Sequence, residues 1–432
     1  MNSYLKKIVA FIMAVEARLV LARYKPKIIA VTGSVGKTSA KDAIYAVLMR
    51  EVHVRRSLKS YNSEFGVPLT ILGCENAWGN PWGWIKNIAK GAYLIVVKQS
   101  YPEWLIVEVG ADAPGDIKAI ARWLKPDIAV ITSIPDVPVH VEFFSSPEEV
   151  AREKRELAVY VKQGGKLFIN GDEARTREIA KEFRGIAQTF GFSSECDFQA
   201  THDTFFYEEN KLAGMQFRVN ANGSSVPIVT LGAPGKPRIY AALAACAVAT
   251  ELKVDLVSVA ASLREGEVTP GRMRVIEGKN GSLIFDDTYN ASPHATRSAL
   301  ETLINVPRAK RRIAVLADML ELGKFSTEEH KKIGKYAAEC ADMLITVGFR
   351  AKLIASAAKE AGLSEKKIVQ YEQGESARAG KELAEILKEG DVILVKGSQS
   401  MRMERTVKAI MAEPARAKEL LVRQDEEWLR KK

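Results

Sequence analysis

The stretch AVTGSVGKTSAKDAIYAVL, Ala30 to Leu48, contains a phosphate-binding loop that is shorter than the standard form. In the standard spacing the first glycine would stand at Val31, whereas the first glycine here is Gly33. An apolar strand leads into the turn, and a helix is predicted from about Thr38, with free N–H groups that can hold phosphate. The alternative is an ordinary strand-turn-helix connection. Against it, four residues stand where phosphate binding needs them: Gly33, Gly36, Lys37 and Thr38.

Length, charge and cysteine content limit the class of protein. A chain of 432 residues predicts two or three domains with complete cores. The four cysteines are scattered and form no Cys-x-x-Cys pair, which favours a reducing cytoplasm without disulfides or a thiolate zinc site. A net charge of +10 suits anionic ligands or a nearby anionic surface. No segment has the basic-aromatic pattern of a nucleic-acid reader, so no nucleic-acid partner is expected.

Two segments near the N-terminus combine apolar and basic residues. Residues 1–24 read as one helix, too short and too charged to span a bilayer comfortably. Residues 78–104 hold four of the six tryptophans, interleaved with lysines. Both segments could make peripheral contact with the inner face of the membrane, where Trp and Lys anchor amphipathic helices. The alternative is that they pack on each other or on the core.

From Pro26 onward, short apolar strands alternate with helices, which indicates an α/β protein with mainly parallel sheet. A polar, alternating stretch at about 198–231 predicts an antiparallel edge or a separate subdomain. The segment TPGRMRV then marks a boundary, and a second βαβ series follows it. We therefore predict an N-terminal helix in residues 1–26, a central P-loop ATPase domain in residues 27–268, and a C-terminal Rossmann-like domain in residues 269–432.

Three polar residues follow the strands beside the phosphate loop. Glu108 stands near the carboxyl end of an apolar strand, the edge at which ligands bind in open α/β sheets. It is a good second ligand for the Mg²⁺ of a nucleotide. His140 follows the next strand, and Lys154 comes fourteen residues later inside a helix. A lone His or Lys is more often structural, but the position of this pair after strands that line a phosphate site favours function.

These motifs resemble the Mur ligases, the ATP-dependent amide ligases of cell-wall precursor synthesis. The resemblance rests on the short loop, the Glu-x-Gly-Ala strand end, and a His followed fourteen residues later by Lys in Ala-x-x-Lys-x-Glu. Three C-terminal segments are similar to the branch that adds D-alanyl-D-alanine, the MurF type: IFDDTYNASPHATRSAL, VLADMLELGKFSTEEH and LVKGSQSMRME. The resemblance runs from about Lys27 to Met411.

The resemblance implies a role for each matching residue. Lys37, Glu108, His140 and Lys154 would be catalytic, and four residues would bind two Mg²⁺ ions: Thr38, Glu108, His140 and Lys154, the last as a carbamate formed with CO₂. ATP would contact Gly33, Ser34, Gly36, Lys37, Thr38, Ser39, Arg272, Asp287 and Asn290. Substrate contacts would come from Asn62, His330, Lys396 and Ser398.

The implied reaction activates the acceptor carboxylate as an acyl phosphate, which an amine then displaces. The partners would be a nucleotide- or lipid-linked muramoyl-peptide acceptor and an amino acid or dipeptide donor, handled by a cytoplasmic monomer. The chain departs from the pattern in having only about thirty residues before the P-loop strand, where relatives carry a UDP-binding domain. It also departs at Ser63, Ala317 and Gln399, and GAPGKPRIYAALAA lacks the usual His and Asn. The alternatives are a Mur-like ligase of another pathway, such as an archaeal cell-wall peptide or a cofactor carboxylate, and a nucleotide-binding scaffold without catalysis.

Overall fold

A computed structural model describes residues 3–57 and 59–430 of the chain; side chains are described from Lys6 onward. The ends of the predicted segments 1–26 and 269–432 therefore lie outside the described residues, at positions 1–2 and 431–432. The first sheet has nine strands: β1 (Lys27–Thr32), β2 (Val54–Arg56), β3 (Trp104–Glu108), β4 (Ile128–Ile131), β5 (Lys166–Asn170), β6 (Ile186–Gly191), β7 (Phe198–Glu208), β8 (Lys211–Ala221) and β9 (Ser224–Leu231). Their order is β2-β3-β1-β4-β5-β6-β7-β8-β9, parallel as far as β7.

The helices around this sheet are α1 (Ser3–Tyr24), α2 (Lys37–Leu48), α3 (Gly66–Leu72), α4 (Pro81–Val96), α5 (Asp116–Leu124), α6 (Pro147–Val159), α7 (Ala174–Glu182), α8 (Lys236–Glu251) and α9 (Leu256–Glu265). Helix α8 is alanine-rich and buried along nearly its whole length, and it packs against α2. Its small side chains let it lie close to the helix that starts at the phosphate loop.

The second sheet has six strands, in the order β10-β11-β15-β12-β13-β14. These strands are β10 (Arg274–Glu277), β11 (Leu283–Asp287), β12 (Arg311–Ala317), β13 (Met343–Val347), β14 (Ile368–Tyr371) and β15 (Asp391–Lys396). Only β10 is antiparallel to its neighbour. The accompanying helices are α10 (Pro293–Ile304), α11 (Ser326–Cys340), α12 (Ala351–Glu360), α13 (Ser376–Ile386), α14 (Glu404–Ile410), α15 (Ala417–Leu420) and α16 (Glu426–Arg430). The α/β architecture with two sheets confirms the predicted fold class, and the predicted 268/269 division falls between α9 and β10.

Helices α1 and α4 pack side by side over the core of the first sheet. Met13 and Ala17 of α1 are buried in the same cluster as Trp84 and Leu94 of α4. The Tyr24 hydroxyl donates to the Leu94 carbonyl at 3.1 Å. The two segments therefore do pack on each other, as one of the two sequence interpretations expected. Within the described part of the chain, no helix has both the length and the apolar character needed to cross a membrane.

Candidate active site

The phosphate loop leaves β1 and is fastened to the end of β4. Ser34 N donates to the Ser133 carbonyl at 2.6 Å, and Thr132 Oγ1 donates to the Val35 carbonyl at 2.6 Å. A β-carbon at Gly33 would lie 2.1 Å from Thr132 Oγ1, so only glycine fits there. Gly36 has a left-handed φ of 88° and caps α2, which is the conformation that glycine adopts without strain. The loop therefore stands at the N-terminus of α2 with the geometry expected of an anion site.

Lys37 lies across this loop and is half-buried. Its Nζ donates to the Gly33 carbonyl at 2.8 Å. Burial lowers the pKa of Lys37, and the charge of nearby Glu108 partly opposes that shift. A single hydrogen bond to a carbonyl is easily exchanged for a stronger one to a phosphate oxygen.

Glu108, at the end of β3, is buried beside the start of α2. Thr38 Oγ1 donates to Glu108 Oε2 at 3.0 Å, and Asn62 Nδ2 donates to Glu108 Oε1 at 3.2 Å. Ser60 Oγ lies 2.7 Å from the Thr38 hydroxyl. The Arg272 guanidinium, from beyond the central domain, reaches the same hydroxyl at 3.4 Å. These oxygen atoms form the kind of ligand set that Mg²⁺ prefers.

Lys154 lies on α6 and is buried close to the phosphate loop. Burial and the positive charge of Lys37 lower the pKa of Lys154 to about 7. Among the described residues its amine has no hydrogen-bond or ion-pair partner. The preceding residue, Glu153, faces another helix, where it accepts from the Gly115 and Ile117 amides at 2.8 and 2.6 Å. Lys154 is thus a buried amine whose surroundings favour the neutral form, and the neighbouring Glu153 carboxylate accepts hydrogen bonds from another helix.

His140, which the resemblance assigns to a metal ion, lies beside a carboxylate of the C-terminal domain. Its Nδ1 lies 2.7 Å from Glu321 Oε2 in the C-terminal domain, and that contact lowers the pKa of Glu321. Within residues 3–57 and 59–430, no three His, Cys, Asp or Glu side chains are grouped to hold a metal. Glu108 and the Thr38 hydroxyl are oxygen groups beside the phosphate loop that a metal ion could use.

The predicted C-terminal residues are mostly paired with one another. Lys396 Nζ binds Asp287 Oδ2 at 2.5 Å and the Asn290 carbonyl at 3.0 Å, all at the carboxyl edge of the second sheet. His330 is fully buried, and its Nε2 accepts from Met319 N at 3.0 Å while its Nδ1 faces the Ser326 carbonyl at 2.7 Å. These contacts hold the backbone, so a substrate contact by His330 stays a prediction.

Ser398 has a similar place, since its hydroxyl accepts from Leu320 N at 2.8 Å. Together with His330 it shapes the loop that carries Glu321. Sequence reasoning missed Ser60 and Glu321 as members of the site. Ser60 stands two residues before Asn62, and Glu321 lies inside the quoted segment VLADMLELGKFSTEEH. Their contacts, with Thr38 and with His140, join separate loops and helices, which the sequence does not show.

The comparisons with known proteins match one family of ligases over nearly the whole chain. Residues 31–249 match the Mur ligase middle domain, and residues 271–399 match the Mur ligase glutamate ligase domain. The UDP-N-acetylmuramoyl-tripeptide–D-alanyl-D-alanine ligase of Bacillus subtilis is 29% identical over 402 residues, covering 92% of this chain and 79% of the relative. The enzyme of that name from Mycobacterium tuberculosis H37Rv is 30% identical over 420 residues, with 93% and 75% covered. The structure of MurF ligase from Thermotoga maritima with ADP superposes with a TM-score of 0.75 at 26% identity, covering 93% of this chain and 83% of that one.

Proposed function

We propose, since the chain belongs to the Mur ligase family of ATP-dependent ligases, that it joins D-alanyl-D-alanine or a similar donor to a muramoyl-peptide carboxylate. Mur ligases use ATP and Mg²⁺. The observation that carries the proposal is the phosphate loop with Glu108 and, beside it, a buried Lys154 that has no partner among the described residues. A simple phosphate-binding protein has no need of such an amine.

The residues around the loop fit a nucleotide with its divalent ion. Lys37 and the amide groups at the start of α2 would hold the phosphates, and Thr38 and Glu108 would ligate Mg²⁺. The buried hydroxyl of Ser34 and the Nε of Arg272 have no hydrogen-bond partner among the described residues, as expected of groups that face a bound ligand. When bound, the ion neutralises charge that develops on the transferred phosphoryl group.

Lys154 would serve this site as a carbamate. Its neutral amine attacks CO₂, an N–C bond forms, one proton is released, and an anionic carboxylate-like group results. The low pKa favours the step because only the unprotonated amine is a nucleophile. The carbamate would face Lys37 as a partner of opposite charge and, with His140, would provide oxygen and nitrogen ligands for a second Mg²⁺.

The reaction brings anions together, and the chain supplies cations to receive them. The acceptor carboxylate attacks the γ-phosphorus of ATP to give an acyl phosphate and ADP, next to Lys37. The donor amine then attacks the acyl carbon, and phosphate leaves with the electron pair of the broken C–O bond. Arg272, stacked 4.0 Å above the Tyr289 ring, would be fixed over the nucleotide from the C-terminal side. Most of the rate enhancement would come from positioning and charge stabilisation.

A phosphate-release assay tests this function. The enzyme with ATP and Mg²⁺ is offered UDP-linked or lipid-linked muramoyl tripeptide together with D-alanyl-D-alanine, L-alanyl-L-alanine or single amino acids. We expect phosphate release only when both acceptor and donor are present, and a new amide in the product by mass spectrometry. Phosphate release in the absence of an acceptor would contradict the proposal. So would a lack of phosphate release with every acceptor offered.

A Mur-like ligase of another pathway is the second candidate. The observation that favours it is the set of departures from the family motifs, since Ser63 and Gln399 stand in segments that would contact acceptor and donor. The same assay separates the two candidates when it includes an archaeal-type peptide acceptor and a pterin carboxylate. Activity with these substrates alone would identify the second candidate.

We also propose that the enzyme is a cytoplasmic monomer that touches the inner face of the membrane through residues 1–24 and 78–104. Nine of the eighteen large apolar side chains exposed in the described part of the chain lie in these segments: Ile8, Phe11, Leu19, Trp78, Trp82, Ile85, Tyr93, Val96 and Val97. Exposed basic residues lie in the same two segments: Lys6, Lys7, Arg23, Lys86, Lys90 and Lys98. Apolar, aromatic and basic groups exposed on two helices that pack together suit anionic lipid.

Vesicle sedimentation tests the membrane contact. We expect the enzyme to sediment with phosphatidylglycerol vesicles but not with phosphatidylcholine vesicles, and Phe11→Ser with Trp82→Ser to abolish binding. Val257→Ser with Phe349→Ser is the control, because both side chains are exposed elsewhere, by 68% and 72%. Equal loss in the control, or equal binding to both lipids, would reject the contact. Light scattering at the same concentration measures whether the enzyme is a monomer.

A further inference from the structure

Two short loops from different domains contact each other. One contains the 3-10 turn Val141–Phe143, and the other contains the 3-10 turn Gly323–Phe325. Besides the contact of His140 Nδ1 with Glu321, the Glu142 amide donates to the Glu321 carbonyl at 3.3 Å. Gly323 has a left-handed φ of 51°, and a β-carbon there would come within 3.2 Å of the Glu142 Cα, so backbone conformation and close approach both favour glycine. The two loops are therefore fitted to each other.

The backbone at both members of the pair has an unusual conformation. His140 has φ of 67° and Glu321 has φ of 64°, in the left-handed region that non-glycine residues rarely adopt. Strained residues of this kind persist only where surrounding structure holds them. On the C-terminal side, His330 and Ser398 supply that support through the Met319 and Leu320 amides. Glu321 is thus presented to His140 by a loop anchored on buried side chains.

From this geometry we infer that Glu321 positions His140. The Glu321 carboxylate accepts a hydrogen bond from the Nδ1–H of His140, which leaves Nε2 free to bind a metal ion. A histidine that binds a metal generally donates its other N–H to a carboxylate or carbonyl, which fixes the tautomer and the ring orientation. The inference rests on the proposed metal role of His140. In this arrangement the residue that orients His140 comes from the C-terminal domain, whereas His140 belongs to the central domain. Contact between the two domains and binding of the second metal ion would therefore favour each other.

Manganese binding to the full chain tests the inference. The protein is mixed with a non-hydrolysable ATP analogue and titrated with Mn²⁺, and free Mn²⁺ is measured by electron paramagnetic resonance. We expect Glu321→Ala to weaken the second Mn²⁺ by about tenfold, and Glu321→Gln, whose amide oxygen can still accept the Nδ1 proton, by less. In turnover, the concentration of Mg²⁺ for half-maximal rate should rise more than kcat falls. The matched control is Glu142→Ala, which removes a neighbouring exposed carboxylate without touching Nδ1.

The variant His140→Ala, used as a background, distinguishes failure of the inference about Glu321 from failure of the proposed metal role of His140. In that background, Glu321→Ala should have no further effect on Mn²⁺ affinity. If His140→Ala weakens Mn²⁺ but Glu321→Ala does not, or if Glu142→Ala has the same effect as Glu321→Ala, the inference is wrong while the proposed metal site stands. If His140→Ala itself leaves both Mn²⁺ affinities unchanged, His140 is not a ligand and the inference falls with that part of the proposed function. Thermal unfolding of each variant shows whether the effect is structural.

Discussion

The carboxyl edges of the two sheets differ in how their polar side chains are satisfied. At the edge of the first sheet, Lys154 has no partner among the described residues, and Lys37 has only a backbone carbonyl. At the edge of the second sheet, Lys396 is buried and bound by Asp287 and by the Asn290 carbonyl. Parallel strands bring polar residues to the same relative place in both sheets, but among the described residues Lys37 and Lys154 at the first edge have fewer partners than Lys396 at the second.

This difference separates binding groups from supporting ones. A buried polar group without a partner costs free energy, so it persists where a ligand supplies the missing interaction. A fully paired group instead stabilises the fold and holds its neighbours in place. The same residue types therefore predict ligand contact at Lys37 and Lys154, and predict scaffold roles for the buried pair at the second edge.

The largest effect is expected from Lys154→Ala. Loss of the amine removes the carbamate and its charge, so kcat should fall by about a thousandfold or more. Phosphate release with acceptor and donor is the measurement, and added acetate or propionate should restore part of the rate. Lys162→Ala, which changes a lysine in the same domain paired with Asp127, serves as the control. Normal turnover in Lys154→Ala would remove the carbamate from the mechanism.

Lys396→Met and Lys37→Met contrast the two edges directly. Removing the Lys396 charge leaves the Asp287 carboxylate buried without its partner, which should lower the free energy of unfolding by about 3 kcal/mol. Lys37→Met should change that free energy by less than about 1 kcal/mol while abolishing turnover, since its one described hydrogen bond is to a carbonyl. Urea unfolding of the two variants measures both values. Equal destabilisation would mean that pairing does not distinguish the edges.

Glu16 of α1 tests whether an unpaired buried group always marks a site. Its Oε2 has no partner among the described residues, and burial raises the pKa of Glu16 to about 7. Because the folded pKa lies above the unfolded value, this residue's contribution favours folding at acid pH and is lost as pH rises from about 4.5 to 7. Glu16→Gln should therefore stabilise the protein by about 2 kcal/mol more at pH 8 than at pH 5.

Thermal unfolding across that pH range checks the Glu16 prediction, with Glu75→Gln as the exposed control. Turnover of Glu16→Gln with a soluble acceptor should be unchanged. A loss of turnover would give Glu16 a role in the reaction and weaken the rule drawn from the two edges.

Much of the fold could be predicted because its signals are local. The strands at Ile128–Ile131 and Lys166–Asn170 are recognisable as apolar runs in the sequence, and the glycines of the phosphate loop predict a turn. Strand β2 was missed because three residues, Val-Arg-Arg, at the edge of a sheet carry no apolar pattern. The antiparallel strands were expected, but their continuation of the first sheet depends on a short pairing of β6 with β7 that no local pattern reveals.

The site was predicted where residues act alone and missed where they act in pairs. Lys37, Thr38 and Glu108 follow from their places at strand and helix ends. The contact of His140 with Glu321 joins residues nearly two hundred positions apart, and it depends on how two domains meet. Likewise, nothing in the motif around His330 reveals that both ring nitrogens face the backbone.

The alanines of α8 set a limit on how this protein can vary through evolution. Nine consecutive residues, 241–249, are buried, and seven of them are alanine or cysteine. A larger side chain there would push α8 away from α2 and move the start of α2, where phosphate would bind. Natural variants of the chain should therefore keep small residues at the alanine positions that face α2. A larger residue at one of these positions should occur together with a smaller residue on α2.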